Sequence, residues 1–117
     1  MAEHERLICA ADDLAELGRG VRFELNRFGQ PLQAFVVRFG GQPRAFLNRC
    51  GHVPVELDWQ EGEFFDDSRL YLICSTHGAL YHPASGQCVG GRCAGRGLIP
   101  VPVVERDGHV YLMEKQE

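Results

Sequence analysis

The chain has no hydrophobic run approaching the roughly 20 residues that span a bilayer. Its start, Met1-Ala2-Glu3-His4-Glu5-Arg6, is charged and lacks the apolar centre of a secretory signal. No stretch carries a long helical period, and no repeat or low-complexity tract is visible. Basic residues are outnumbered, 12 Lys and Arg against 16 Asp and Glu, and the net charge of −4 argues against a nucleic-acid binder. No Gly-x-Gly-x-x-Gly run follows a strand, which argues against a bound nicotinamide or flavin. No grouping of side chains resembles an activated nucleophile or a general base for organic substrates, so no catalytic residue is assigned. The odd cysteine count of 5 fits a reducing compartment. The expectation is a soluble, cytoplasmic protein with neither membrane nor nucleic acid among its partners.

What is present is a series of short strand signals punctuated by turns. At 117 residues the chain suits one domain, 1–117, with a modest core. Residues 7–10 read as a first strand, and 11–14 as a polar turn, at most one helical turn capped by Asp12. Val21-Arg22-Phe23-Glu24-Leu25 alternates apolar and charged residues, as a half-buried strand does. Residues 33–39 form another strand, which Gly40-Gly41-Gln42-Pro43 turns back into 44–49. Phe64-Phe65 has the makings of a short strand, and 70–73 reads as a longer one. Residues 98–105 and 109–113 make a last pair around Arg106-Asp107-Gly108, because Asp-Gly is a strong hairpin signal. Short strands with frequent turns predict an all-β sandwich or small barrel.

The chemistry concentrates between Cys50 and His77. Cys50-Gly51-His52 follows the strand signal 45–48, and Cys74-Ser75-Thr76-His77 follows 70–73. The pattern is C-x-H-x21-C-x2-H, with 21 residues between His52 and Cys74. Strand ends hold their loops firmly, so two such loops facing each other offer four ligands at fixed distances. Two Cys and two His suit a tetrahedral zinc ion. The usual zinc spacing, however, pairs Cys with Cys and His with His, whereas each loop here contributes one of each.

That alternation resembles the Rieske [2Fe–2S] pattern, in which two Cys hold one iron and two His the other. The resemblance continues through His77-Gly78-Ala79-Leu80-Tyr81, the turn Pro83-Ala84-Ser85-Gly86, a Gly-rich run to Gly97, and Leu98-Ile99-Pro100-Val101-Pro102-Val103. It implies an all-β, Rieske-type antiparallel β-sandwich with a small cluster-binding subdomain over about 45–97. It implies one [2Fe–2S] cluster per chain, with Cys50 and Cys74 on one iron and His52 and His77 on the other. By the same resemblance Tyr81 stands where a Tyr hydroxyl bonds a ligand sulfur, and Ala79 stands where a Ser donates to a cluster sulfide. The cysteines that brace the two loops in respiratory Rieske proteins are replaced here by Val55 and Thr76. Fewer donors leave the reduced cluster less stabilised, which places the potential in the lower part of a range of about −150 to +300 mV. The implied function is that of a soluble ferredoxin passing one electron from a flavin reductase to a terminal oxygenase or reductase. The alternatives are a small electron-transfer subunit of a reductase complex, similar to the nitrite reductase small subunit, and a structural zinc module.

Three further expectations concern the surroundings. Asp58, Glu61, Glu63, Asp66 and Asp67 form an acidic stretch with no base before Arg69, read as a solvated loop or as a docking patch for a basic partner. Trp59 reads as a packing residue. Cys88 and Cys93 read as reduced small residues, and Arg92 puts a positive charge on the Gly-rich segment. His4, His82 and His109 have no partnering Cys pair and read as surface or turn residues, with the role of His82 left open.

Overall fold

The computed structural model describes residues 3–27, 29–49, 56–58, 61–74, 78–91 and 97–115. Its strands are β1 (Glu3–Ala10), β2 (Val21–Arg27), β3 (Gln30–Phe39), β4 (Gln42–Leu47), β5 (Leu72–Ile73), β6 (Leu80–Tyr81), β7 (Cys88–Gly90), β8 (Pro100–Val101), β9 (Val103–Arg106) and β10 (His109–Lys115). They form three sheets, ordered β1-β10-β9, β2-β3-β4-β8 and β5-β6-β7, and the strand pairings within them are antiparallel.

The apolar run Ala34-Phe35-Val36-Val37 sets this architecture. All four residues are buried. Successive side chains of a strand point to opposite faces, so a strand buried at every position is covered on both sides. Phe35 and Val37 of β3, with Phe46 of β4, enter a core that also holds Leu57, Phe64, Leu72, Cys74, Ala79, Tyr81 and Leu98. Ala34 and Val36, with Ala45 and Leu47, enter a second core with Cys9, Leu14, Leu25, Val101, Val110 and Leu112. The β2-β3-β4-β8 sheet is thus the shared wall between the β5-β6-β7 sheet and the β1-β10-β9 sheet. Rings dominate the first core: Phe35 stacks on Phe64 at 3.9 Å and 11°, and tilts against Phe46 at 6.0 Å.

Several predicted elements change on folding. The strand over 70–73 shrinks to Leu72–Ile73, and Leu70 is 59% exposed. Asp66 causes this. Its carboxylate accepts from Ser68 Oγ at 2.8 Å and Tyr71 N–H at 3.4 Å, turning the chain through Arg69, whose φ is +64°. Phe64-Phe65 gives one bridge, Phe65 to Leu72, rather than a strand. The strand over 98–105 divides into β8 and β9 around Pro102, which has no N–H for a ladder. The turn after β1 is a 3-10 turn, Ala11–Asp13. Asp13, not Asp12, serves its entry, accepting the Ala10 N–H at 3.3 Å. The Asp107-Gly108 hairpin forms as expected, with φ of +54° and +77° at the two residues and His109 opposite Arg106.

One arginine ties the outer sheet to the wall. Arg38 of β3 donates to the Leu14 carbonyl at 2.7 Å, to the Ala11 carbonyl at 3.2 Å and to Glu105 at 2.7 Å. The hydrogen bond to Glu105 holds its guanidinium above the ordinary range.

Candidate metal centre

Cys74 is the ligand candidate that lies within the described residues. Cys50, His52 and His77 lie outside them, as do Val55, Trp59, Thr76, Arg92 and Cys93. Among the described residues no three His, Cys, Asp or Glu side chains gather as a metal site.

Cys74 follows β5 directly. Its thiol is reduced and fully buried, packed in the aromatic core with Tyr81 and Ala79. Its backbone is fixed on both polar atoms. The N–H donates to the Ala79 carbonyl at 2.9 Å, and the carbonyl accepts from Gly78 N–H at 2.7 Å. These two bonds close the backbone around positions 75–77, and the β5–β6 pairs Ile73 with Leu80 and Leu72 with Tyr81 continue the hairpin. The thiol therefore sits at the mouth of a short loop whose roots are held by the sheet.

The glycine segment downstream is pressed onto that loop. A Cβ on Gly91 would lie 2.6 Å from the Gly78 carbonyl oxygen and 2.8 Å from the Ala79 Cα, and the Gly91 φ is +78°. Only glycine permits that approach. At the other end, Leu98 N–H donates to the Gly86 carbonyl at 2.7 Å. Both flanks of residues 92–96 are thus anchored to the second loop and to the turn after it. Cys88, at the start of β7, is disulfide-bonded. This differs from the expectation of a reduced residue at that position.

The first candidate pair, Cys50 and His52, has both flanks among the described residues. Asn48 follows β4, and its N–H donates to the Gln33 carbonyl at 2.8 Å. On the far side Leu57 is fully buried in the aromatic core. The Asn48 Oδ1 accepts from Leu57 N–H at 2.8 Å, and its Nδ2 donates to Asp58 Oδ1 at 3.0 Å. Asp58 Oδ2 accepts from Gly62 N–H at 3.0 Å and lies 3.7 Å from Arg22 Nε. Arg22 also pairs with Glu56, and that hydrogen bond helps hold its guanidinium above the ordinary range against the burial that lowers it.

The acidic stretch is correspondingly less solvated than its sequence suggests. The Asp58 side chain has 0% exposure, Asp66 serves its turn, and Glu63 lies 4.0 Å from Arg19. Glu61 and Asp67 remain exposed acids of the stretch. The balancing bases, Arg19 and Arg22, come from far earlier in the chain. His82 is an exposed turn residue, its Nδ1 accepting from Ala84 N–H at 3.1 Å. His109 Nδ1 bonds the Asp107 carbonyl at 3.0 Å across the last hairpin. Both fit the expected surface or turn role.

The model of the Rieske [2Fe–2S] domain family matches residues 4–106. The chain belongs to the Rieske family. The cofactor of this domain is a [2Fe–2S] cluster, and a buried thiol at the root of a backbone-closed loop suits it. Rieske proteins of known structure share the fold. The ferredoxin of carbazole 1,9a-dioxygenase from Nocardioides aromaticivorans IC177 superposes with a TM-score of 0.70 at 22% identity, covering 95% of this chain and 98% of its own. The Sphingomonas yanoikuyae B1 ferredoxin gives 0.69 at 19%, covering 97% of this chain and 100% of its own. The terminal oxygenase of the Nocardioides enzyme gives 0.70 at 20%, covering 97% of this chain and 31% of its own. The search of curated proteins finds no match. No helix of the described residues is long and apolar enough to cross a membrane.

Sequence reasoning missed Asn48, Asp58 and Arg22 as one group, and it missed the Cys88 disulfide. Asn48 was legible only as a strand end and Asp58 only as part of an acidic run. Nothing in a linear pattern joins Arg22 to Asp58.

Proposed function

We propose that the chain is a one-electron carrier, with Cys50 and Cys74 holding one iron of a Rieske cluster and His52 and His77 the other. The observation that carries this reading is Cys74: a reduced, fully buried thiol at the closed root of the second loop, in a chain matching the family over residues 4–106. The cluster, when bound, stores a single electron at a potential raised by its neutral imidazole ligands. The protein's own residues supply the frame. The Cys74 backbone bonds and the Gly91 contact hold the second loop, and the aromatic core keeps water from the cysteine side. Residues 45–97 form the cluster-binding part of one domain.

The donor is a flavin reductase and the acceptor a terminal oxygenase or reductase. Structural relatives support the acceptor: several are ferredoxins, and one structure is a complex of reduced oxygenase and oxidized ferredoxin in carbazole 1,9a-dioxygenase. The exposed acids Glu61 and Asp67 suit encounter with a basic partner surface.

The test is anaerobic reconstitution followed by iron and sulfide analysis and EPR after dithionite reduction. The expected result is two irons and two sulfides per chain with the signal of mixed Cys and His ligation. A colourless protein holding one zinc ion and no EPR signal overturns the reading.

A further inference from the structure

We propose that Asn48 and Asp58, steadied by Arg22, form a polar clasp that positions the first ligand loop, so that they are positioning residues for Cys50 and His52. The inference rests on the reading of those two as ligands. The clasp joins the two ends of the loop. Asn48 and Leu57 are 9 positions apart and are bonded directly, and Asn48 and Asp58 are 10 apart and share a second bond. Each end is independently anchored, Asn48 through its N–H to β3 and Leu57 through the aromatic core.

The choice of polar groups is the informative part. Asn48 is 4% exposed and Asp58 7%. A carboxylate taken out of water costs several kcal/mol unless partners offset it, and an apolar pair would close a loop base without that cost. Hydrogen bonds, unlike apolar contacts, also fix direction. The Asn48 amide uses its oxygen on one loop end and its nitrogen on Asp58, so only one amide orientation satisfies both. Asp58 is fixed in turn by Gly62 N–H and Arg22. Partners behind metal ligands orient them in this way.

The donor and acceptor roles make a rescue experiment available. In N48D two buried carboxyl groups face each other, and in D58N one of the bonds to Asn48 and Gly62 is lost. In N48D/D58N the roles exchange. The carboxylate at 48 accepts from Leu57 N–H and from the new amide at 58, whose oxygen still accepts from Gly62. The experiment measures cluster release to a chelator from the reconstituted protein, with reduction potential and Tm recorded alongside. Each single variant is expected to release its cluster at least about tenfold faster than wild type, the scale of lost supporting bonds at metal sites. The double variant should return to within about threefold, as paired, coupled changes do. Leu112→Ala, in the core remote from the loop, should lower Tm without speeding release. If N48D fails to fold, Arg22→Gln, which removes the cation beside Asp58 and Glu56, should still speed release and shift the potential. Single variants that release no faster than Leu112→Ala at matched Tm overturn the clasp alone, as does a double variant that regains Tm but not retention. A wild-type chain that takes up no iron and sulfide overturns the cluster reading and the clasp with it.

Discussion

The two cores on either side of the β2-β3-β4-β8 sheet each enclose a cysteine, and they treat it differently. Cys9 lies in an aliphatic core of Leu, Val and Ala, on β1, which pairs with β10 almost throughout its length. Burial, and then the negative charge of Asp13, push its thiol up to about 11. Cys74 lies in a core built on three phenylalanines and a tyrosine, at the end of the two-residue strand β5. Long ladders hold the aliphatic core. The aromatic core is held by stacked rings and turn bonds, which lets its strands be short and their ends carry loops. A buried thiol becomes a ligand candidate by standing beside a loop closed by the sheet, and stays inert when the strand that carries it is paired along a long ladder.

The sharpest way to break this comparison is to change each cysteine in turn. Cys74→Ser should abolish cluster uptake on reconstitution, while Cys9→Ser should leave iron and sulfide content unchanged. Chemical iron analysis with visible absorption reads both, and equal losses in the two variants would erase the distinction. Next in size are the cores themselves. Phe64→Ala removes the ring stacked on Phe35 and should cost about 3–5 kcal/mol, and Leu112→Ala in the other core about 2–5 kcal/mol. Chemical denaturation measures both, and the aromatic change should also weaken cluster retention.

The Phe64 result bears on how far the sequence could be read. The all-β class and the hairpins at Gly40-Gly41 and Asp107-Gly108 were legible, because turn chemistry is local; of the four candidate ligands, Cys74 lies among the described residues. The division of the chain into two cores was implied by the run 34–37, but which residues joined each side was not. Strand alternation assigns a face only once the neighbouring sheets are known. The shortened β5 was hidden because Leu70 and Tyr71 carry strand preference while Asp66, several residues earlier, commits the backbone to a turn. Asp58 looked solvated because its partners Arg22 and Asn48 are distant in sequence. Burial of a charge depends on contacts that no local window contains.

A subtler test concerns potential. Ala79 is buried beside Cys74, and Ala79→Ser adds a donor next to the second loop, which should raise the reduction potential. Tyr81→Phe removes a hydroxyl from the same core and should lower it. Protein-film voltammetry at neutral pH reads the two shifts, and a potential unmoved by both changes would place neither side chain near the cluster. The smallest effect belongs to Cys9. Its folded-state pKa of about 11 stands above the ordinary thiol value of 9.0, so the unfolded chain releases the proton first. Wild-type stability should therefore decline between about pH 9 and pH 11, and Cys9→Ala should flatten that decline in denaturant titrations across the window.

The placement of the two cores along the chain also orders their assembly. Every described residue of the aromatic core lies between Phe35 and Leu98, whereas the aliphatic core draws on Cys9 at one extreme and Leu112 at the other. As a nascent chain leaves the ribosome, the half that carries the ligand loops has all its packing partners before the half that seals β1 against β10.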